Sequence, residues 1–127
     1  VGDFTITSPP YWDIEYYGDE PEQLGKCQTY KEFLLGMRKV LRENYRILKP
    51  ESYAVYFVND FRKKGRMHFY HADLMREAQR AGFNLHDILI VAYPKGIRDC
   101  FSNQVVQSRI IPKRHEYGLV FYKPKEE

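Results

Sequence analysis

Cysteine is scarce. Cys27 and Cys100 are the only two among 127 residues; they are too few for a disulfide framework and do not fall in a metal-ligand spacing. They read as reduced thiols of a cytoplasmic protein. Long apolar runs are missing too. No stretch approaches the roughly 20 residues that cross a bilayer, and no signal peptide opens the chain, so no membrane partner is expected. His68 and His71 sit near a helix start, but no cysteine or carboxylate set completes a ligand sphere, so no metal is expected. Neither sign of charge dominates. The net charge of +3 and pI of about 8.8 are compatible with a nucleic-acid partner without demanding one. Internal repeats, low-complexity tracts and domain linkers are absent. The chain begins on Val1 rather than Met and enters a strand almost at once, which reads as a fragment or one piece of a longer protein.

Aromatic residues, by contrast, are abundant. They make up 16% of the chain, with 11 Tyr and 8 Phe, and 43% of residues are hydrophobic. That suffices for a globular fold with one modest core. Rings that stay exposed can stack on bases. Strand and helix patterns alternate, as in an α/β domain. Residues 13–28 are polar and turn-rich, and read as a long loop or lid after the first strand. Thr29 and Glu32 then fit a capping box. Tyr30, Phe33, Leu34, Met37, Val40, Leu41, Tyr45 and Leu48 recur at helical spacing, and Lys49-Pro50 should end that helix. Arg38, Lys39, Arg42 and Arg46 fill its remaining faces and read as a solvated surface. Residues 52–59 are nearly all apolar or aromatic, as suits a strand covered on both faces. Strand, helix and strand make a βαβ unit with parallel strands.

Residues 60–67 read as a basic loop holding Arg62, Lys63, Lys64 and Arg66. It lies just past the carboxyl end of the second strand, where phosphate contact competes with the plain alternative of a solvated loop. A second helix covers 69–81, with Leu74, Met75, Ala78 and Ala81 on one face and Gly82 as its left-handed stop. A third strand spans 85–93 and ends at Pro94. Residues 94–114 form another long loop carrying Lys95, Arg98, Arg109, Lys113 and Arg114. The last strand, 116–122, has no helical pattern before it and should pair antiparallel with the third.

The stretch 3–12, Asp-Phe-Thr-Ile-Thr-Ser-Pro-Pro-Tyr-Trp, organises the rest. Residues 4–8 favour a strand. Pro9 and Pro10 then stop it, because they lack N–H groups and fix φ. A rigid turn results at a strand's carboxyl end, which is where open α/β sheets bind ligands. It offers the Ser8 hydroxyl, the Pro9 carbonyl, and the rings of Tyr11 and Trp12.

Ser8-Pro9-Pro10-Tyr11 resembles the Asp/Asn/Ser-Pro-Pro-aromatic signature of the DNA amino-methyltransferases. These enzymes methylate cytosine N4 or adenine N6 with S-adenosylmethionine. The strand before the motif and the helix ending in Leu48-Lys49-Pro50 are similar to that family. So are Lys113-Arg114-His115-Glu116 and the terminal Leu119-Val120-Phe121-Tyr122-Lys123. The resemblance covers nearly the whole chain and implies a Rossmann-like methyltransferase fold, with a mixed sheet whose last strand runs antiparallel and inserts between the second and third. Members of the β-type motif order place this catalytic half before a cofactor half that opens with F-x-G-x-G. None of the eight glycines falls in such a spacing. Residues 1–127 are therefore expected to form a single catalytic-half domain without the main cofactor pocket. A missing segment or a partner chain should complete the site.

The resemblance also implies roles. Ser8, Pro9, Pro10 and Tyr11 form the catalytic turn, and Ser8 and Pro9 also edge the cofactor site. The Ser8 hydroxyl and Pro9 carbonyl can accept hydrogen bonds from both N–H groups of an aromatic amine and so free its lone pair. Tyr11 can stack on a flipped base, and Trp12 either walls the pocket or fills the core. Arg62, Lys63, Lys64 and Arg66 would contact DNA phosphates. Serine at the first motif position favours cytosine N4 over adenine N6. His115 and Glu116, adjacent on a strand, should point to opposite faces and have a structural role. The rival expectation is a degenerate relative that binds nucleic acid or assembles without methyl transfer. A half-sheet should also leave an open edge at residues 4–8, through which the chain could self-associate.

Overall fold

The structure is a computed structural model that describes residues 2–10, 29–94, 107, 109, 111 and 113–126. Strand β1, Gly2–Thr7, leads to the proline turn. Helix α1, Tyr30–Ile47, starts where the Thr29 side chain accepts the Glu32 N–H at 3.0 Å. Phe33, Met37, Leu41 and Asn44 form its buried stripe, at the spacing of one helix face. The helix stops earlier than the sequence pattern suggests. Leu48 is already extended, and strand β2, Leu48–Val58, absorbs Lys49 and Pro50. Pro50 forces its predecessor out of the helical region, and Leu48 drops into the core at 3% exposure. The helix's last carbonyls are met from an unexpected quarter. Buried Lys123 donates to the carbonyls of Tyr45 and Leu48 at 2.7 and 2.6 Å, placing a cation at the negative end of the helix.

The segment expected as a basic loop is a hairpin. Strand β3, Phe61–Lys63, pairs antiparallel with β4, Arg66–His68. The turn residues Lys64 and Gly65 both have positive φ, 51° and 77°. Two such residues match the twist of a tight hairpin, and the Phe61 and His68 rings stack 5.3 Å apart. Helix α2, Tyr70–Ala81, ends on Gly82 at φ 115°. A Cβ on Gly82 would meet the Tyr45 ring at 2.9 Å, so glycine is needed there for room as well as for φ. Strands β5, Asn84–Ala92, and β6, His115–Tyr122, follow.

The main sheet has the order β1-β2-β6-β5. β1 and β2 are parallel; β6 runs antiparallel to both β2 and β5 and lies between them. The last strand is thus inserted as expected. The pairs Ala54–Phe121 and Tyr56–Leu119 join Phe33, Met37, Leu41, Leu74 and Ala78 in the core. Each large apolar side chain among them contributes about 1.5–3 kcal/mol on burial. Alternation along the strands turns Phe4 and Ile6 to the opposite face, where they are 54% and 63% exposed. Asn44 binds three elements together: it donates to the Thr5 hydroxyl at 2.9 Å and accepts from the Tyr56 hydroxyl at 2.8 Å.

Candidate active site

Parallel pairing brings the carboxyl ends of β1 and β2 to the same end of the sheet. Ser8, Pro9 and Pro10 leave β1 there, exposed, buried and half-buried in turn. Asn59 and Asp60 leave β2 beside them. Tyr70, the first residue of α2, is fully buried. Its ring packs on Phe33 and Phe61 at 5.4 and 5.9 Å, and its hydroxyl donates to the Pro10 carbonyl at 3.1 Å. The core therefore touches the proline turn directly.

Asp60 holds the start of α2. Its Oδ1 accepts the His71 N–H at 3.0 Å and lies 2.7 Å from His71 Nδ1. Phe69 offers no side-chain cap, so this carboxylate from a distant segment meets an orphan helix donor and favours the positive helix end. The His71 ring stacks on Tyr117 at 3.9 Å, 15° from parallel. The Asp60 carbonyl accepts from Lys113 Nζ at 2.5 Å. Asn59 donates to the carbonyl of His115, the first residue of β6, at 2.7 Å. Two residues at the end of β2 thus tie α2, the residue-113 segment and β6 into one frame beside the turn.

The bases expected to meet phosphate lie on the β3–β4 hairpin at this same end. Arg62, Lys64 and Arg66 are exposed and Lys63 is half-buried; Arg62 also donates to the Gly65 carbonyl at 3.1 Å. His68 packs against the Tyr30 and Phe61 rings, at 4.5 and 5.3 Å between centroids. Burial, then the Arg66 and Lys63 cations, push its pKa below the ordinary imidazole value. Tyr11 and Trp12, the expected base-stacking pair, lie outside the described residues, as do the loop 13–28 and most of 94–112. Among the described residues no three metal-ligating side chains gather, and no helix is long and apolar enough to cross a membrane. Asp60, Tyr70 and His71 were not legible as site neighbours, because their partners are distant in sequence and no local motif announces them.

Among the described residues, two helices on one face of a mixed sheet, with a proline turn at the carboxyl end of its parallel pair, define a methyltransferase-like fold. The cytosine-N4-specific PvuII DNA methyltransferase superposes with a TM-score of 0.67 over 97% of this chain and 44% of its own, at 14% identity, a likeness of fold. A candidate DNA modification methylase from Thermus thermophilus superposes with a TM-score of 0.68 at 27% identity, over 98% of this chain and 47% of its own. Its complex with S-adenosyl-L-methionine matches at 28% identity and a TM-score of 0.65, over 97% and 46%. No curated protein sequence matches. The model of the DNA methylase family, of N6/N4 type, matches residues 3–127, and the chain belongs to that family. It spans just under half the length of these structural relatives.

Proposed function

We propose that this chain is the catalytic portion of an S-adenosylmethionine-dependent methyltransferase acting on an exocyclic amino group of a DNA base, with cytosine N4 favoured over adenine N6. The observation that carries the reading is the Ser8-Pro9-Pro10 turn at the carboxyl end of β1, in a chain of the DNA methylase family.

An aromatic amine is a poor nucleophile because its lone pair is delocalised. The Ser8 hydroxyl and the Pro9 carbonyl accept its two N–H groups and draw the nitrogen toward sp³ character, on a turn too stiff to need reordering. No strong general base is needed, since the alkylated nitrogen sheds its proton readily. Tyr11 stacks on the flipped base and returns about 1–3 kcal/mol of the few lost on flipping. Trp12 either walls the base pocket or fills the core. Arg62, Lys63, Lys64 and Arg66 hold phosphates beside it.

When bound, S-adenosylmethionine supplies an electrophilic methyl on a sulfonium. Ser8, exposed at the strand end, and Pro9 fit the margin of its site. No strand-following glycine turn among the described residues fits its floor, so a further segment or a second chain provides the rest. That partner covers the apolar β1 edge, and self-association through the same edge is the competing arrangement.

The test is to express the full reading frame and incubate it with DNA and methyl-labelled S-adenosylmethionine. Nucleoside chromatography should reveal N4-methylcytosine. N6-methyladenine instead would overturn the choice of base, and no label in DNA would favour the degenerate nucleic-acid-binding reading.

A further inference from the structure

A turn built from two consecutive prolines has no backbone donors of its own at those positions. Whatever anchors it through hydrogen bonds must donate to its carbonyls from outside. In this protein the buried Tyr70 hydroxyl does so at Pro10, 3.1 Å away and 60 residues along the chain. Tyr70 itself has little freedom. Its ring is fully buried against Phe33 and Phe61, and the next residue, His71, is held through backbone and ring by Asp60.

We propose that Tyr70 is a positioning residue of the methylation site. By anchoring the Pro10 carbonyl, it sets the height and tilt of the neighbouring Pro9 carbonyl and Ser8 hydroxyl over the sheet end. Asp60 serves the same end one step back, by fixing the first turn of α2. The inference rests on the reading of Ser8 and Pro9 as the acceptors of the target amine. Misplacing reacting groups by about 1 Å lowers rates by about 10²-fold, so loss of one anchor should act on the chemical step more than on binding.

The experiment compares Tyr70→Phe with wild type in the full-length protein. The change removes one oxygen and keeps the ring in the core. Tyr30→Phe is the control: it removes another part-buried hydroxyl, one bonded to Asp73 of α2 at 2.7 Å. We expect Tyr70→Phe to lower the single-turnover methylation rate about 10- to 100-fold. DNA and S-adenosylmethionine dissociation constants should move less than about two-fold, and Tm should fall by less than about 4 °C. Tyr30→Phe should leave the rate unchanged. Hydrogen exchange by mass spectrometry should quicken in the peptide covering residues 2–12 of Tyr70→Phe and stay level in the core of β2 and β6. An unchanged rate overturns the proposal, as does a loss that only tracks the folded fraction or is shared by Tyr30→Phe. If wild type methylates no DNA, the functional reading fails. The exchange result then still decides whether Tyr70 holds the turn, and unchanged exchange overturns that as well.

Discussion

At the scale of single residues, the chain places its few buried polar groups where they constrain neighbours. Asn44 joins β1, α1 and β2. Glu77, 4% exposed, receives a two-pronged guanidinium from Arg38 and a further hydrogen bond from Arg80 at 2.9 Å. The hydrogen bond from Arg38, ahead of its charge and that of Arg80, holds the Glu77 carboxyl below the ordinary carboxylate range. A depressed carboxylate stabilises the folded state at pH values above its unfolded pKa, and that contribution is lost as pH falls through the folded value. Glu77→Gln should therefore destabilise the protein by about 1–2 kcal/mol at pH 7. The gap to wild type should narrow below about pH 4.5, in denaturant titrations repeated across pH. For chemistry, Tyr11→Ala in the complete enzyme should lower methylation by about 10- to 100-fold through lost stacking of about 1–3 kcal/mol, with an unchanged thermal midpoint. Full activity in that variant would refute the stacking role.

Among the elements, α1 and the β3–β4 hairpin show how far local rules reach. Thr29, Glu32 and the apolar stripe announce α1, but its end depends on a residue 75 positions away from Leu48: Lys123, over the last carbonyls and 4.6 Å from the Tyr45 ring centroid. Lys123→Met keeps the stem and removes the donors. It should cost about 1–3 kcal/mol, read as a lower denaturant midpoint at constant slope. The hairpin exposes Lys64 and Arg66 next to the proposed site. If they meet phosphate, Lys64→Glu with Arg66→Glu should weaken DNA binding uniformly across sequences. The slope of log K against log salt should fall by about 2, on the order of one unit for each phosphate no longer neutralised. An unchanged slope would mark the hairpin as a solvated surface.

On the scale of the whole molecule, the sheet formed by the described residues ends on the edge strands β1 and β5. Phe4 and Ile6 on one are matched by Leu89 and Ile90 on the other, 48% and 60% exposed. Exposed apolar edges invite pairing. The 127-residue chain on its own should therefore self-associate in light scattering at high concentration, and Ile6→Lys should reduce that association. A monomer at every concentration would remove the edge-pairing idea.

Much of this architecture was readable from the residues alone, because the signals involved are short-range. A capping box, a 3.6-residue apolar period, a glycine stop after α2 and a strand broken by two prolines each act within a few residues. The resemblance carried by Ser8-Pro9-Pro10-Tyr11 and the terminal strand supplied the insertion of β6 between β2 and β5. Tertiary structure alone decided the rest. The hairpin leaves little trace in the sequence because Lys64-Gly65 is a weaker turn signal than Asn-Gly. Lys123 is buried although its type favours solvent, because unpaired helix carbonyls from another element need a donor. The proline turn, rigid by composition, is located by a tyrosine 60 residues away. A segment without N–H groups cannot fasten itself, so only the folded chain could bring a donor to it.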